Sequence, residues 1–258
     1  MSVGFPTNTV IMIVVMMIAA AAGTWIILAQ ALNQVSKVRS VRRGWRWGAA
    51  AVLIGWLLLR VVFAIVPPGN TVLGVPYVVG FLGFGLLVGI VPLLVSPFFR
   101  QVVRSMPETW LVGLQAIRIG GVAFLALADM KLLPTAFALP AGYGDFTAGA
   151  LALVAAYLLA KKNPCARTFT IGWNVLGLLD FVIALITGSL TLGPFAVQLL
   201  ASGVSPLYLN YVLIIPAFGA PLFTLLHVYS LFQMLSPRRA TEPENSAEMP
   251  PTPIYATR

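Results

Sequence analysis

VIMIVVMMIAAAAGTWIILAQALNQVSKVRSVRRGWRWG, residues 10–48, is a long, mostly apolar run followed by five basic residues. A secretory signal peptide has the reverse order, with positive charge first and a small-residue cleavage site after the apolar stretch. The run is therefore expected to remain as an uncleaved first membrane helix, with Trp45 and Trp47 placed where interfacial tryptophans anchor a helix end. The same basic and aromatic interleaving occurs in nucleic-acid binders, but beside an apolar span it reads as a membrane interface, and no nucleic-acid partner is expected.

The rest of the chain repeats this pattern. Of 258 residues, 59% are hydrophobic and 9% charged, and the mean hydropathy is +0.94. Such a chain lacks the polar surface to coat a water-soluble globule. A spanning helix needs about 20 mostly apolar residues, and runs of that kind are predicted near 8–32, 47–67, 75–97, 109–129, 144–161, 168–189 and 208–235. The predicted fold class is thus an all-α integral membrane protein, seven helices in one bundle over residues 1–238. The Pro- and Glu-rich segment 239–258 is expected to be a disordered cytoplasmic tail.

Basic residues orient these spans. Lys37, Arg39, Arg42, Arg43 and Arg46 follow the first run, Arg100 and Arg104 the third, Lys161, Lys162 and Arg167 the fifth, and Arg238, Arg239 and Arg258 the seventh. The loops of opposite parity hold only Lys131. Because cytoplasmic loops carry the Lys and Arg excess, the amino terminus is predicted outside and the carboxyl terminus inside a cell membrane. The net charge of +9 then reflects topology and attraction to anionic lipid.

PAGYGDF, residues 140–146, shares Gly-Tyr-Gly-Asp with potassium-channel filters. The Thr of such filters is missing, and about 14 residues between the fourth and fifth runs are too few for a pore helix and a returning strand. The stretch reads instead as an outer Pro-Gly turn ending in Asp145 as the N-cap of the fifth helix. Retinal binding would need a lysine in the last span, which is absent. With one cysteine, Cys165, and one histidine, His227, no disulfide, metal or other cofactor is expected.

Ionisable groups inside spans are costly and mark functional candidates. Arg118 and His227 are predicted about 12–14 Å from the cytoplasmic helix ends, and Arg60 and Asp180 about 18–20 Å. Asp180 is read as the only carboxylate at that depth and is expected to pair with Arg60 or Arg118, leaving one guanidinium for a carbonyl or an anion. Gln115 with Arg118, and Trp173, Asn174 and Gly177 with Asp180, share helix faces by their spacing. His227 and Tyr229 are candidates for a third side, though for His227 a cap on neighbouring backbone is the simpler reading. Gly85 and Gly89 suit close helix packing, and Pro216 and Pro221 suit a kinked last helix.

The expected function is binding or transport of a small anionic or amphipathic molecule at Arg118, Gln115, Asn174, Asp180, Arg60 and His227. The alternative is a non-catalytic membrane subunit or an assembly or interaction protein in which these residues only fix helix packing; beyond the lipid bilayer, the partners expected are other membrane proteins or further copies of the chain. A lipid-directed enzyme is weaker, because no nucleophile, base and orienting group can be read from the spacing.

Overall fold

The computed structural model describes residues 7–65 and 75–236, so the predicted tail lies outside the described residues. Helices make up the fold and no strand occurs among the described residues. In chain order they are α1 Thr7–Val35, α2 Arg39–Ile65, α3 Val75–Val95, α4 Pro97–Arg104, α5 Glu108–Asp129, α6 Thr135–Ala160, α7 Ala166–Ala201 and α8 Asn210–Leu235. All but the short α4 are long and apolar enough to cross a membrane. The surface is apolar, with Leu94, Val95, Leu190 and Val197 at least two-thirds exposed, whereas Arg60, Gln115, Arg118, Asn174 and His227 are buried. Seven such helices with polar groups turned inward suggest a membrane protein.

Local chemistry explains the element ends. Ser96 caps α4, its hydroxyl accepting from the Phe99 amide at 3.2 Å, with Pro97 at the first helical position where it removes no needed donor. Three helices stop in Schellman turns. After α7, Gly203 at φ 86° donates to the Leu200 carbonyl and Val204 to that of Leu199. Lys131 and Lys162 adopt the same left-handed conformation after α5 and α6.

Three expectations need correction. α6 begins at Thr135, so Pro140, Gly142, Gly144 and Asp145 lie inside a continuous helix, and Asp145 is not an N-cap. A proline deletes one backbone bond, but neighbouring helices can shield a locally unpaired carbonyl in an apolar bundle, so a Pro-Gly pair need not be a turn there. α7 runs on to Ala201 across Pro194, a length of about 54 Å at 1.5 Å per residue. The third concerns α5, which is α-helical only at its ends and is a 3-10 helix over Leu114–Gly121.

Glycines let the elements approach. Gly85 and Gly89 face Trp56 and Leu225, in keeping with their predicted packing role. α5 and α6 meet more closely: a methyl on Gly149 would stand 2.5 Å from the Ile119 amide nitrogen and 3.0 Å from the Arg118 carbonyl carbon. Backbone packs on backbone there, so neither side can yield by rotating a side chain. At the start of α8, a short helix, Pro206–Val212, overlaps the span and runs into a π-helical stretch, Ile215–Gly219, that contains Pro216, before regular helix resumes at Ala220. The expected irregularity of the last span is thus a widened turn.

Gly149→Ala is expected to lower unfolding stability by about 1–3 kcal/mol through overpacking. Gly83→Ala, where the added methyl meets open space, is expected to be neutral or stabilising by up to about 1 kcal/mol. Thermal unfolding of both variants in nanodiscs tests the contrast, and equal effects would show that the α5–α6 approach is not tight.

Candidate functional site: a buried arginine between two carboxylates

The 3-10 segment LQAIRIGG turns once every three residues, so Gln115, Arg118 and Gly121 fall in one line and all three are buried. Arg118, 2% exposed, occupies the middle of this line and points into the space between α6, α7 and α8. Each of its nitrogens donates to a different helix. Nε reaches Asp145 Oδ1 on α6 at 2.7 Å, Nη2 reaches Asp180 Oδ2 on α7 at 2.5 Å, and Nη1 reaches His227 Nε2 on α8 at 2.8 Å. Phe181 covers the guanidinium, with Cζ 4.1 Å from the ring centroid.

Because a guanidinium only donates, His227 Nε2 must accept and its proton sits on Nδ1. Nδ1 then donates to Asn174 Oδ1 at 2.8 Å. The Asn174 amide nitrogen donates to Ser230 Oγ and to the Thr170 carbonyl, each at 2.9 Å. Trp173 donates to the Ala148 carbonyl at 2.8 Å and packs its rings 4.7 Å from the imidazole. The network thus runs from α5 across α6, α7 and α8, saturated on its His227 side.

Small residues make room for the charges. A Cβ on Gly121 would strike Asp145, one on Gly144 the Asp180 carboxylate, and one on Gly177 the His227 ring. Asp145, Asp180 and His227 therefore each lie against a glycine of a neighbouring helix.

The expected pair of Asp180 with an arginine forms with Arg118. Asn174 and His227 join the same network, and His227 bonds side chains where a backbone cap was expected. Asp180 is not the only carboxylate at the site, since the recognition of α6 as one helix brings in Asp145. Its signal lay in the sequence: Asp145 is the one charged residue of Thr135–Ala160 and lies ten residues, about 15 Å, along it. Gln115 turns elsewhere, its Nε2 donating to the Phe223 carbonyl at 3.0 Å. Arg60 is distant from the cluster; its Nη2 donates to the Asn210 carbonyl at 2.8 Å, and Phe81 lies 5.7 Å from its Cζ. The predicted leftover guanidinium is therefore Arg60. Tyr229, two residues from His227, points away to the Gly89 carbonyl on α3.

A cavity of about 310 Å³ borders the cluster between α3, α6, α7 and α8. Its walls are aliphatic and aromatic, with Ser189 and Thr224 as neutral polar groups and Asp145 and Asp180 as the ionisable ones among the described residues. Val79, Val182 and Leu185 line it while remaining 49%, 51% and 40% exposed, so it opens on the outer face of the bundle.

Arg118→Met, which strands two buried carboxylates, is expected to cost about 3–5 kcal/mol. Adding Asp145→Asn and Asp180→Asn is expected to recover part of the loss. Thermal unfolding of the single and triple variants decides this, and a single variant as stable as wild type would deny Arg118 its role in holding these helices.

No curated protein and no solved structure matches the chain. A domain of unknown function, DUF8737, matches residues 73–235, a stretch that contains α5 to α8, the cluster and the cavity. The match spans more than half of the sequence, and the chain belongs to the DUF8737 family.

Proposed function

We propose that the protein is a multi-pass cell-membrane protein that binds a small amphipathic molecule, its apolar part in the cavity and its polar part at the Asp145–Arg118–Asp180 cluster. One observation carries this reading: two largely buried carboxylates border a mainly apolar cavity of about 310 Å³, within the usual range of small-molecule pockets. A cavity open on the apolar face of the bundle suits a ligand that arrives through the bilayer. Transport would add a second opening of the same site.

The anionic ligand considered on sequence grounds loses its main support, because every nitrogen of Arg118 already has a protein acceptor. The same engagement of every nitrogen favours a second reading, in which the network only fixes helix packing in a subunit of a larger membrane assembly or a homo-oligomer. Polar contacts between membrane helices commonly serve that end, at about 0.6–2 kcal/mol each.

Ala184→Phe separates the two readings. Ala184 lines the cavity and makes no bond to the cluster, so the larger side chain fills the space and leaves the ion pairs intact. Ligand binding to the native state raises the unfolding midpoint. Single-chain amphiphiles are expected to stabilise wild type in nanodiscs and to lose this effect in Ala184→Phe. A wild type that no amphiphile stabilises would favour the packing reading.

The orientation, amino terminus outside, rests on the basic loops. Cys165 is the chain's single cysteine and is exposed in the turn between α6 and α7. A membrane-impermeant maleimide is expected to label it only after cells are opened, and labelling of intact cells would reverse the orientation.

A further inference from the structure

We propose that the ligand of this cavity carries a primary ammonium head on a single apolar chain, held by the oxygens of Asp145 and Asp180 that Arg118 does not use. The inference rests on the cavity-binding reading above and adds to it the charge and shape of the ligand.

The charge count comes first. Arg118 brings one positive charge to two carboxylates, and His227 presents an acceptor nitrogen to it and so adds no positive charge. No lysine or arginine lines the cavity among the described residues, and Arg60 is engaged with Asn210 elsewhere. With both carboxylates ionised, the cluster is one positive charge short of neutrality. In a low-dielectric setting an uncompensated charge is expensive, and a bound cation is one way to remove it.

Geometry then places the missing charge. Asp145 gives Oδ1 to Arg118 and Asp180 gives Oδ2, so each carboxylate spends one oxygen on the guanidinium. Both carboxylates border the cavity, and their side chains keep 15% and 8% exposure. Two carboxylates at one cavity, each with an oxygen that Arg118 does not use, suit an ammonium group, which offers three donors and no acceptor. Ser189 and Thr224 are neutral, and the rest of the wall is apolar, matching a hydrocarbon chain.

The same features argue against other heads. A carboxylate or sulfate would meet two like charges. A phospholipid would bring a phosphate beside its ammonium, and the described cavity wall offers no cation to receive it. A quaternary ammonium has the charge but no N–H to donate.

Gly144 gives this site a positional control. Asp180 Oδ1 occupies the space that a Cβ on Gly144 would take, so Gly144→Ala displaces this second oxygen without changing any charge. Asp180→Asn keeps an acceptor for Arg118 but turns an amide donor toward the cavity.

The test uses three probes that share one chain, decylamine, decanol and decanoate, with full-length protein in phosphatidylcholine nanodiscs at neutral pH. Decylamine is expected to raise the wild-type unfolding midpoint by about 5 °C at roughly 100 times its Kd, decanol by less, and decanoate not at all. Asp180→Asn and Gly144→Ala are expected to lose the preference of amine over alcohol. Equal shifts by all three probes, or an amine preference that survives in both variants, would overturn the ammonium assignment and leave cavity binding standing. Absence of a shift with every probe would overturn both.

Discussion

The guanidinium of Arg118 is the constraint around which the other helices are arranged. A buried cation in an apolar bundle is tolerable only if its donors are satisfied and its charge is matched. Here Nε, Nη1 and Nη2 are taken by α6, α8 and α7 in turn. Three acceptors on three helices leave little freedom for those helices to rotate or slide. The planar fork of arginine is suited to this; a lysine would bring a single point charge on a flexible stem. Glycines at 121, 144 and 177 follow from the same constraint, since any larger residue there would occupy the space of a cluster side chain.

How far this was legible in the sequence depends on which period a segment follows. Hydropathy located seven spans because length and apolarity are properties of the letters alone. The pairing of Asp180 with an arginine followed from the cost of a lone buried charge, and Asn174 shared its face by ordinary helical spacing. Asp145 was missed because Pro140, Gly142 and Gly144 signal a turn in water, whereas in α6 they are absorbed into a helix. The 3-10 geometry of Leu114–Gly121 was equally hidden: alignment of Gln115, Arg118 and Gly121 requires three residues per turn. Gln115 and Arg118 were rightly placed on one face, yet the face spans two neighbours, and only Arg118 reaches the carboxylates.

Arg60 shows that burial of charge is not by itself a site. It is 1% exposed, yet its Nε and Nη1 have no hydrogen-bond partner and its contacts are a carbonyl and an aromatic ring. Among the described residues it has no carboxylate partner and does not line the cavity. Arg118 differs in having both, and in bordering a cavity on one side while a complete hydrogen-bond chain of His227, Asn174 and Ser230 backs it on the other.

That asymmetry bears most directly on what the protein does. A network that served packing alone would gain by being closed on all sides, because each unpaired buried polar atom costs about 1–3 kcal/mol. The backing chain meets this condition, but both carboxylates border the cavity. The cavity wall also includes Ile215 and Pro216, in the widened π turn of α8. Such turns trade helix regularity for a local bulge and are frequent at functional sites. An irregular helix and two half-used carboxylates thus border the same volume, and each costs stability that straight helices around an apolar core would keep. A bound partner that neutralises the carboxylates and fills the volume offsets both costs at once, whereas packing alone offsets neither.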